Sequence, residues 1–248
     1  MVPLRVYRRQ GRQPGSVMVY AHGGGLIMGS LDQADDTIKG YVAATGVPVV
    51  APEYRLAPEH PFPRPLQDCY AALVWAHDHH GAVGADRARV LVAGDSAGGT
   101  LAAGLALLAR ERGGPPVAAQ LLVHPMLDDR TGEPEPMLAQ ALTWSAVDNE
   151  TGWRAYLGQS YGTDQVSPLA APGRAEDLAG LPRTFLDVGA LDLFRDEVVA
   201  FAGRLWRAGV PTELHVYPGV PHGFDTLAAE TPVALRAMQA RYDFLTAV

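Results

Sequence analysis

Six short apolar runs, bounded by Gly, Pro or Asp and separated by longer stretches with helical spacing, constrain this chain more than anything else in its sequence. They cover residues 17–20, 47–50, 90–93, 120–123, 184–188 and 213–216. Taken together they are short and mostly apolar, which suits strands covered on both faces. Between them, apolar residues recur near 3.6. Leu66, Tyr70, Leu73 and Val74 mark one helical face, and Leu101, Leu105 and Leu108 another. Val198, Phe201 and Leu205 mark a third, and Leu235, Met238, Tyr242 and Leu245 a fourth. Strand–helix alternation predicts an α/β fold, a mostly parallel sheet with helices on both faces. At 248 residues and 48% hydrophobic, one domain spanning 1–248 accounts for the chain. In such folds the chemistry lies on loops after the carboxyl ends of strands.

Gly94-Asp95-Ser96-Ala97-Gly98-Gly99 follows the 90–93 run and opens the helix of Leu101 and Leu105. This strand–turn–helix setting is what a G-x-S-x-G nucleophile requires. The sharp turn lifts the Ser96 hydroxyl clear of the sheet, and Gly94 and Gly98 let strand and helix approach. A bare serine at a helix start is more often an N-cap; the preceding strand and Gly99 favour the nucleophile.

His22-Gly23-Gly24-Gly25 follows the first run. Three glycines add no packing, so their use is bare backbone. Their N–H groups suit an oxyanion hole, with Gly24 and Gly25 on one side and Ala97, after the nucleophile, on the other. A phosphate loop is disfavoured because no Lys-Ser/Thr follows. The base is read as His222, in Val220-Pro221-His222-Gly223-Phe224 just past the last run. The acid belongs between serine and histidine in chain order, on another post-strand loop. Asp192 fits. Asp187 lies inside a strand, and Asp196 lies in the following helix, where a solvated or capping charge is the plainer role.

A net charge of −7 and a pI near 5.6 leave no footprint for nucleic acid or an anionic membrane. One cysteine, Cys69, excludes an internal disulfide framework and fits a small buried side chain in a reducing compartment. No stretch approaches membrane-spanning length and the start shows no signal-peptide core, so a cytoplasmic protein without stable membrane insertion is expected. A homodimer is compatible with the sequence. His77-Asp78-His79-His80 closes a helix, and adjacent histidines do not share a face, so no metal is expected. In 54–63, an Arg55–Glu59 pair bracing a Pro-rich loop is expected, with no catalytic role for His60. Residues 128–181 contain no strand signal, a Pro/Gly/Glu cluster at 131–136 and a helical stretch with Trp144, Trp153 and Tyr156. So long a connection reads as a cap over the site. Leu26, Ile27, Trp144, Leu193 and Phe224 are candidate pocket residues.

Four motifs in order resemble one family. His22 to Gly25, Tyr54-Arg55-Leu56-Ala57-Pro58-Glu59-His60-Pro61-Phe62-Pro63, Gly94 to Gly99 and His222-Gly223-Phe224 are similar to those of the hormone-sensitive-lipase-like esterases, bacterial esterase family IV. The resemblance spans essentially the whole chain. It implies an α/β-hydrolase fold and a serine carboxylesterase acting on short-to-medium acyl esters through an acyl-enzyme. The triad would be Ser96, Asp192 and His222, with no cofactor. Two features depart from the family. Leu193 stands where the acid motif usually has Pro, and cap elements usual ahead of the HGGG have no counterpart here. Either the chain is truncated, or the cap is reduced to 128–181 and the acyl pocket more open. Amide, lactone and carbamate hydrolysis stay open, since one site serves all acyl transfers. A non-catalytic binding protein on this fold is disfavoured, because the histidine accompanies an intact serine and aspartate.

Overall fold

A computed structural model describes residues 2–11, 15–134 and 136–248; Glu135 of the 131–136 cluster lies outside the described residues. The strands are β1 (Leu4–Tyr7), β2 (Val17–Ala21), β3 (Val49–Pro52), β4 (Val90–Asp95), β5 (Ala119–Val123), β6 (Arg183–Gly189) and β7 (Thr212–Tyr217). They form one sheet in the order β1-β3-β2-β4-β5-β6-β7. The last six run parallel; β1 lies antiparallel on β3, with Leu4 opposite Pro52 and Tyr7 opposite Val49.

The run at 47–50 is displaced by two residues into β3. Pro48 cannot donate to a ladder; its carbonyl instead accepts from Met18 N, and the strand begins after it. β1 is an addition to the expected strands. It is short, and Arg5 points outward to Asp32, so it shows no continuous apolar run.

The helices are α1 (Leu31–Thr45), α2 (Arg64–Asp78), α3 (Ala97–Arg112), α4 (Pro136–Ala139), α5 (Ala146–Leu157), α6 (Arg195–Arg207), α7 (Phe224–Leu227) and α8 (Pro232–Thr246). Within β2, Val17 and Val19 belong to the core shared with α2, α3 and α6, while Met18 and Tyr20 belong to the core shared with α1 and α8. Strand pleating thus supplies one apolar face to each helical layer. The Ala- and Gly-rich α3 is buried from Ala97 through Ala109, which is why small residues dominate it.

The face expected on α8 is corrected. Leu235 is exposed, Met238 and Tyr242 are half-buried, and the buried stripe runs Ala234, Ala237, Arg241, Phe244 and Leu245. A charged residue hides this stripe from a hydropathy reading. Arg241 is tolerated there because Asp187 and Asp225 both pair with it.

Among the described residues, the stretch 128–181 between β5 and β6 contains α4, α5 and short turns, with no strand. It is tied down at both ends. Glu197, in the first turn of α6, accepts from Leu127 N, Asp128 N and the Thr131 hydroxyl. Arg174 binds Asp129 through two hydrogen bonds of 2.6 and 2.9 Å. Trp153 and Tyr156 are fully buried in the main core.

Candidate active site

The carboxyl end of β4 passes directly into α3 at Ser96, whose φ of 53° and ψ of −120° lie where a side chain is strained. The backbone around it over-determines that conformation. Ser96 N donates to Val123 O, and Ser96 O accepts from Gly99 N, Thr100 N and Met126 N. A Cβ on Gly98 would collide with the carbonyl oxygens of Ala21 and His22, and one on Gly94 with that of Gly98. Close strand–helix approach therefore needs glycine at both places.

Three loops at the same sheet edge bring three side chains together. Ser96 Oγ lies 2.9 Å from His222 Nε2, and His222 Nδ1 lies 2.8 Å from Asp192 Oδ2. The network assigns the tautomer: Nδ1–H donates to the carboxylate and Nε2 accepts from the serine hydroxyl. Asp192 is fully buried, and its Oδ1 accepts from Phe194 N at 2.9 Å. The loops carrying acid and base are laced to each other. Leu191 N donates to Val220 O, Ala190 N donates to Tyr217 O, and Gly189 leaves no space for a Cβ beside Val220 O. The imidazole of His222 meets Phe194 and His124 edge-on, at ring separations of 5.1 and 4.5 Å.

The glycine loop after β2 faces Ser96. His22 stacks on Tyr54 at 4.3 Å, and the Tyr54 hydroxyl donates to His22 O at 2.7 Å. Gly24 O accepts from Ile27 N and Met28 N, closing the turn. Gly24 (φ 120°) and Gly25 (φ 59°) occupy backbone regions that glycine favours. Among the described residues, neither N–H finds an acceptor, and Ala97, first in α3, has no intrahelical one.

A cavity of about 310 Å³ opens over these groups. Trp144 is part of its wall, its indole lying over Gly25. The other four candidate pocket residues are not on that wall. Leu26 (φ 68°) and Leu193 are buried in the core, and Ile27 packs against it. Phe224 is buried against Tyr217. Motif neighbours alternate between cavity and core, so adjacency in sequence misassigned them. The wall is completed instead by Met28, Ser30, Gln33, Ala34 and Thr37 on or before α1, and by His124 and Thr226. Thr143 adds a hydrogen bond from its hydroxyl to His222 O at 2.7 Å.

His124 is the residue that motif reading missed. It directly follows β5 with φ 33°, is buried, and faces Asp225 at 3.4 Å. The available signal was positional: a histidine at the carboxyl end of a central strand.

The remaining candidates lie away from the site. Asp187 is buried on β6 against Arg241, and Asp196 is an exposed partner of Arg195. The expected Arg55–Glu59 pair is replaced by Arg55–Asp68, with bonds of 2.7 and 2.9 Å, because Asp68 on α2 lies under the loop. His77 takes Asp78 and Arg87, and His79 stacks on Trp75. Among the described residues no group of three or more His, Cys, Asp or Glu side chains is arranged to hold a metal ion. None of their helices is long and apolar enough to cross a membrane. Cys69 is buried, which pushes its thiol up.

Comparison with known proteins identifies the family. A family model described as alpha/beta hydrolase fold matches residues 18–226. Esterase LipI of Mycobacterium tuberculosis is 41% identical over 227 residues, covering 89% of this chain and 69% of that protein. Carboxylesterase NlhH of the same species is 38% identical over 242 residues, covering 95% and 75%. Among solved structures, esterase LipW from Mycobacterium marinum superposes with a TM-score of 0.89 at 40% identity, covering 99% of this chain and 76% of that one. A bacterial heroin esterase superposes at 0.91 and 40% identity, covering 99% and 78%. The chain belongs to the α/β-hydrolase family. Within that family it falls, with its four motifs and these relatives, among the hormone-sensitive-lipase-like esterases.

Proposed function

We propose that this carboxylic-ester hydrolase uses Ser96 as nucleophile, His222 as general base and acid, and Asp192 as the carboxylate that orients it. The observation that carries this reading is the unbroken chain from Ser96 Oγ through His222 to buried Asp192, opposite the glycine loop. His222 Nε2 takes the serine proton as Oγ attacks the ester carbonyl. The carbonyl oxygen, now an oxyanion, is held by N–H groups of Gly24, Gly25 and Ala97. His222 then returns the proton to the leaving alcohol, and the acyl group stays on Ser96. Water repeats the cycle: His222 removes its proton, the acid departs, and Oγ is reprotonated. Asp192 keeps Nδ1 protonated and stabilises the imidazolium. No step calls on a cofactor.

Residues 128–181 act as a small cap, with Trp144 against the oxyanion loop and Thr143 on the base loop. A cavity of about 310 Å³ fits short-to-medium acyl esters of small alcohols. The acidic pI and single cysteine support a cytoplasmic enzyme that does not bind nucleic acid.

The test is covalent labelling with a serine-directed organophosphonate, followed by peptide mapping. The label is expected on Ser96 alone, and a label elsewhere overturns the assignment. The same preparation is then given p-nitrophenyl esters of increasing acyl length, anilides and lactones. Preference for an anilide or a lactone would replace the ester reading while keeping the nucleophile.

A further inference from the structure

Behind the imidazole of His222 lies a buried group of charges that the acyl-transfer steps do not use. His124, directly after β5, presents Nε2 to Asp225 Oδ1 at 3.4 Å. Asp225, on α7, is also paired with Arg241 of α8, and Arg241 Nε donates to Asp187 Oδ2 of β6 at 2.6 Å. Asp187 closes the ring, its Oδ1 accepting from the backbone N–H of His124 at 3.3 Å. The side chains of Arg241 and Asp187 are at most 1% exposed, and those of His124 and Asp225 are 6% and 8% exposed. Buried charge on this scale persists only when it is balanced. With His124 cationic the four groups sum to zero; with His124 neutral they carry one uncompensated negative charge.

We propose that His124 is a positioning residue for the base: its imidazolium balances the buried Asp225–Arg241–Asp187 group beside His222 and so sets where the acid limb of catalysis falls. The proposal rests on the reading of His222 as base.

Several groups face His124. They are Asp225 from α7, Arg241 from α8, Asp187 from β6, Asp192 from the loop after β6, and His222 from the loop after β7. Burial alone would strip its proton, yet the Asp225 carboxylate outweighs this and holds it up to about 9. Nδ1 has no partner among the described residues, so the proton is held from the Nε2 side, by the Asp225 carboxylate. The same carboxylate is drawn well below the usual range, where Arg241 and His124 act against the burial that would raise it. The edge-on ring contact of 4.5 Å transmits the balance to the base, and the carbonyl of His222 is fixed on its other side by Thr143.

His124→Gln removes the cation and leaves net negative charge beside His222. The acid limb of the kcat/KM profile, which reports the base in the free enzyme, should then move to higher pH by about one pH unit. Asp225→Asn removes one anion and, with it, the reason for His124 to hold a proton, so its acid limb should not move upward. Imidazole nitrogen NMR on the unmodified enzyme gives a readout independent of variant folding: His124 should be doubly protonated at pH 7 and titrate near pH 9. A neutral His124 at pH 7, or an acid limb in folded His124→Gln within about 0.2 pH units of the parent, overturns the proposal. Organophosphonate labelling of Ser96 in each variant separates this failure from failure of the triad reading. Label on Ser96 with an unmoved limb condemns only His124, whereas label elsewhere condemns the triad.

Discussion

Ser96 holds a backbone conformation costing on the order of 1–3 kcal/mol, and the groups that impose it are the neighbouring glycines and four backbone hydrogen bonds. Gly98→Ala should therefore be severe, because the Cβ meets backbone carbonyls that cannot move without shifting β2. Loss of about 3 kcal/mol or more of stability, or failure to fold, is expected in denaturant unfolding; an unchanged midpoint would remove the close-packing argument. Asp192→Asn keeps the volume but loses the acceptor that fixes the imidazole tautomer. A fall of about 10⁴ in kcat is expected, with unchanged far-UV circular dichroism; a fall of less than about tenfold would point to another acid. At this scale Ser96, Asp192 and His222, the proposed triad, could be singled out because each follows a strand with a local motif around it. His124 could not, since its meaning depends on Asp225, Arg241 and Asp187, which are distant in sequence and lie on three elements. Leu26, Ile27, Leu193 and Phe224 misled for the converse reason. They stand beside motif residues, but the chain turns them into the core.

Between elements, Glu197 is the fastening that holds the exit from β5 onto α6. Its burial raises the carboxyl to about 8, despite the hydrogen bonds from Thr131 and Leu127 that act against it. A carboxyl raised on folding favours the fold most when protonated, below its ordinary value of 4.5, and that contribution fades as pH rises through about 8. Glu197→Gln mimics the protonated state. Its melting temperature should match the parent at about pH 5 and exceed it by roughly 3 °C or more at about pH 8.5. A difference that does not grow with pH would refute the assignment. Trp144 precedes α5, whose capping box at Ser145 fixes the indole over Gly25. Trp144→Ala is expected to raise kcat/KM for longer acyl esters relative to acetate by about threefold to tenfold; an unchanged ratio would take Trp144 out of the acyl wall. The long connection was legible as an interruption of strand–helix rhythm. The order of contacts within it was not, because Asn149, Arg174 and Glu197 act through partners in the chain's fold, not its spacing.

At the level of the molecule, six parallel strands point their carboxyl ends at one edge, and the loops after β2, β4, β6 and β7 meet there. Five of the six runs announced that sheet as buried strands; β7, the far edge strand, is only partly buried along Thr212–Tyr217, whereas strands covered on both faces must be apolar throughout. The seventh strand, β1, escaped notice because an edge strand with Arg5 and an exposed Val6 need not be. The proposed cycle uses protein groups and water only. Incubation with EDTA followed by assay is therefore expected to leave kcat unchanged, and a loss restored by a divalent cation would require a different mechanism.

The lacing of the loops after β6 and β7 has a directional consequence. Asp192 and His222 ride on backbone segments joined to each other, whereas Ser96 sits two and three strands away on its own elbow. On gradual warming, the imidazole should keep its carboxylate after it has lost its hydroxyl. Activity would then fade before the acid–base couple dissolves, and the first casualty of heat would be reach rather than basicity.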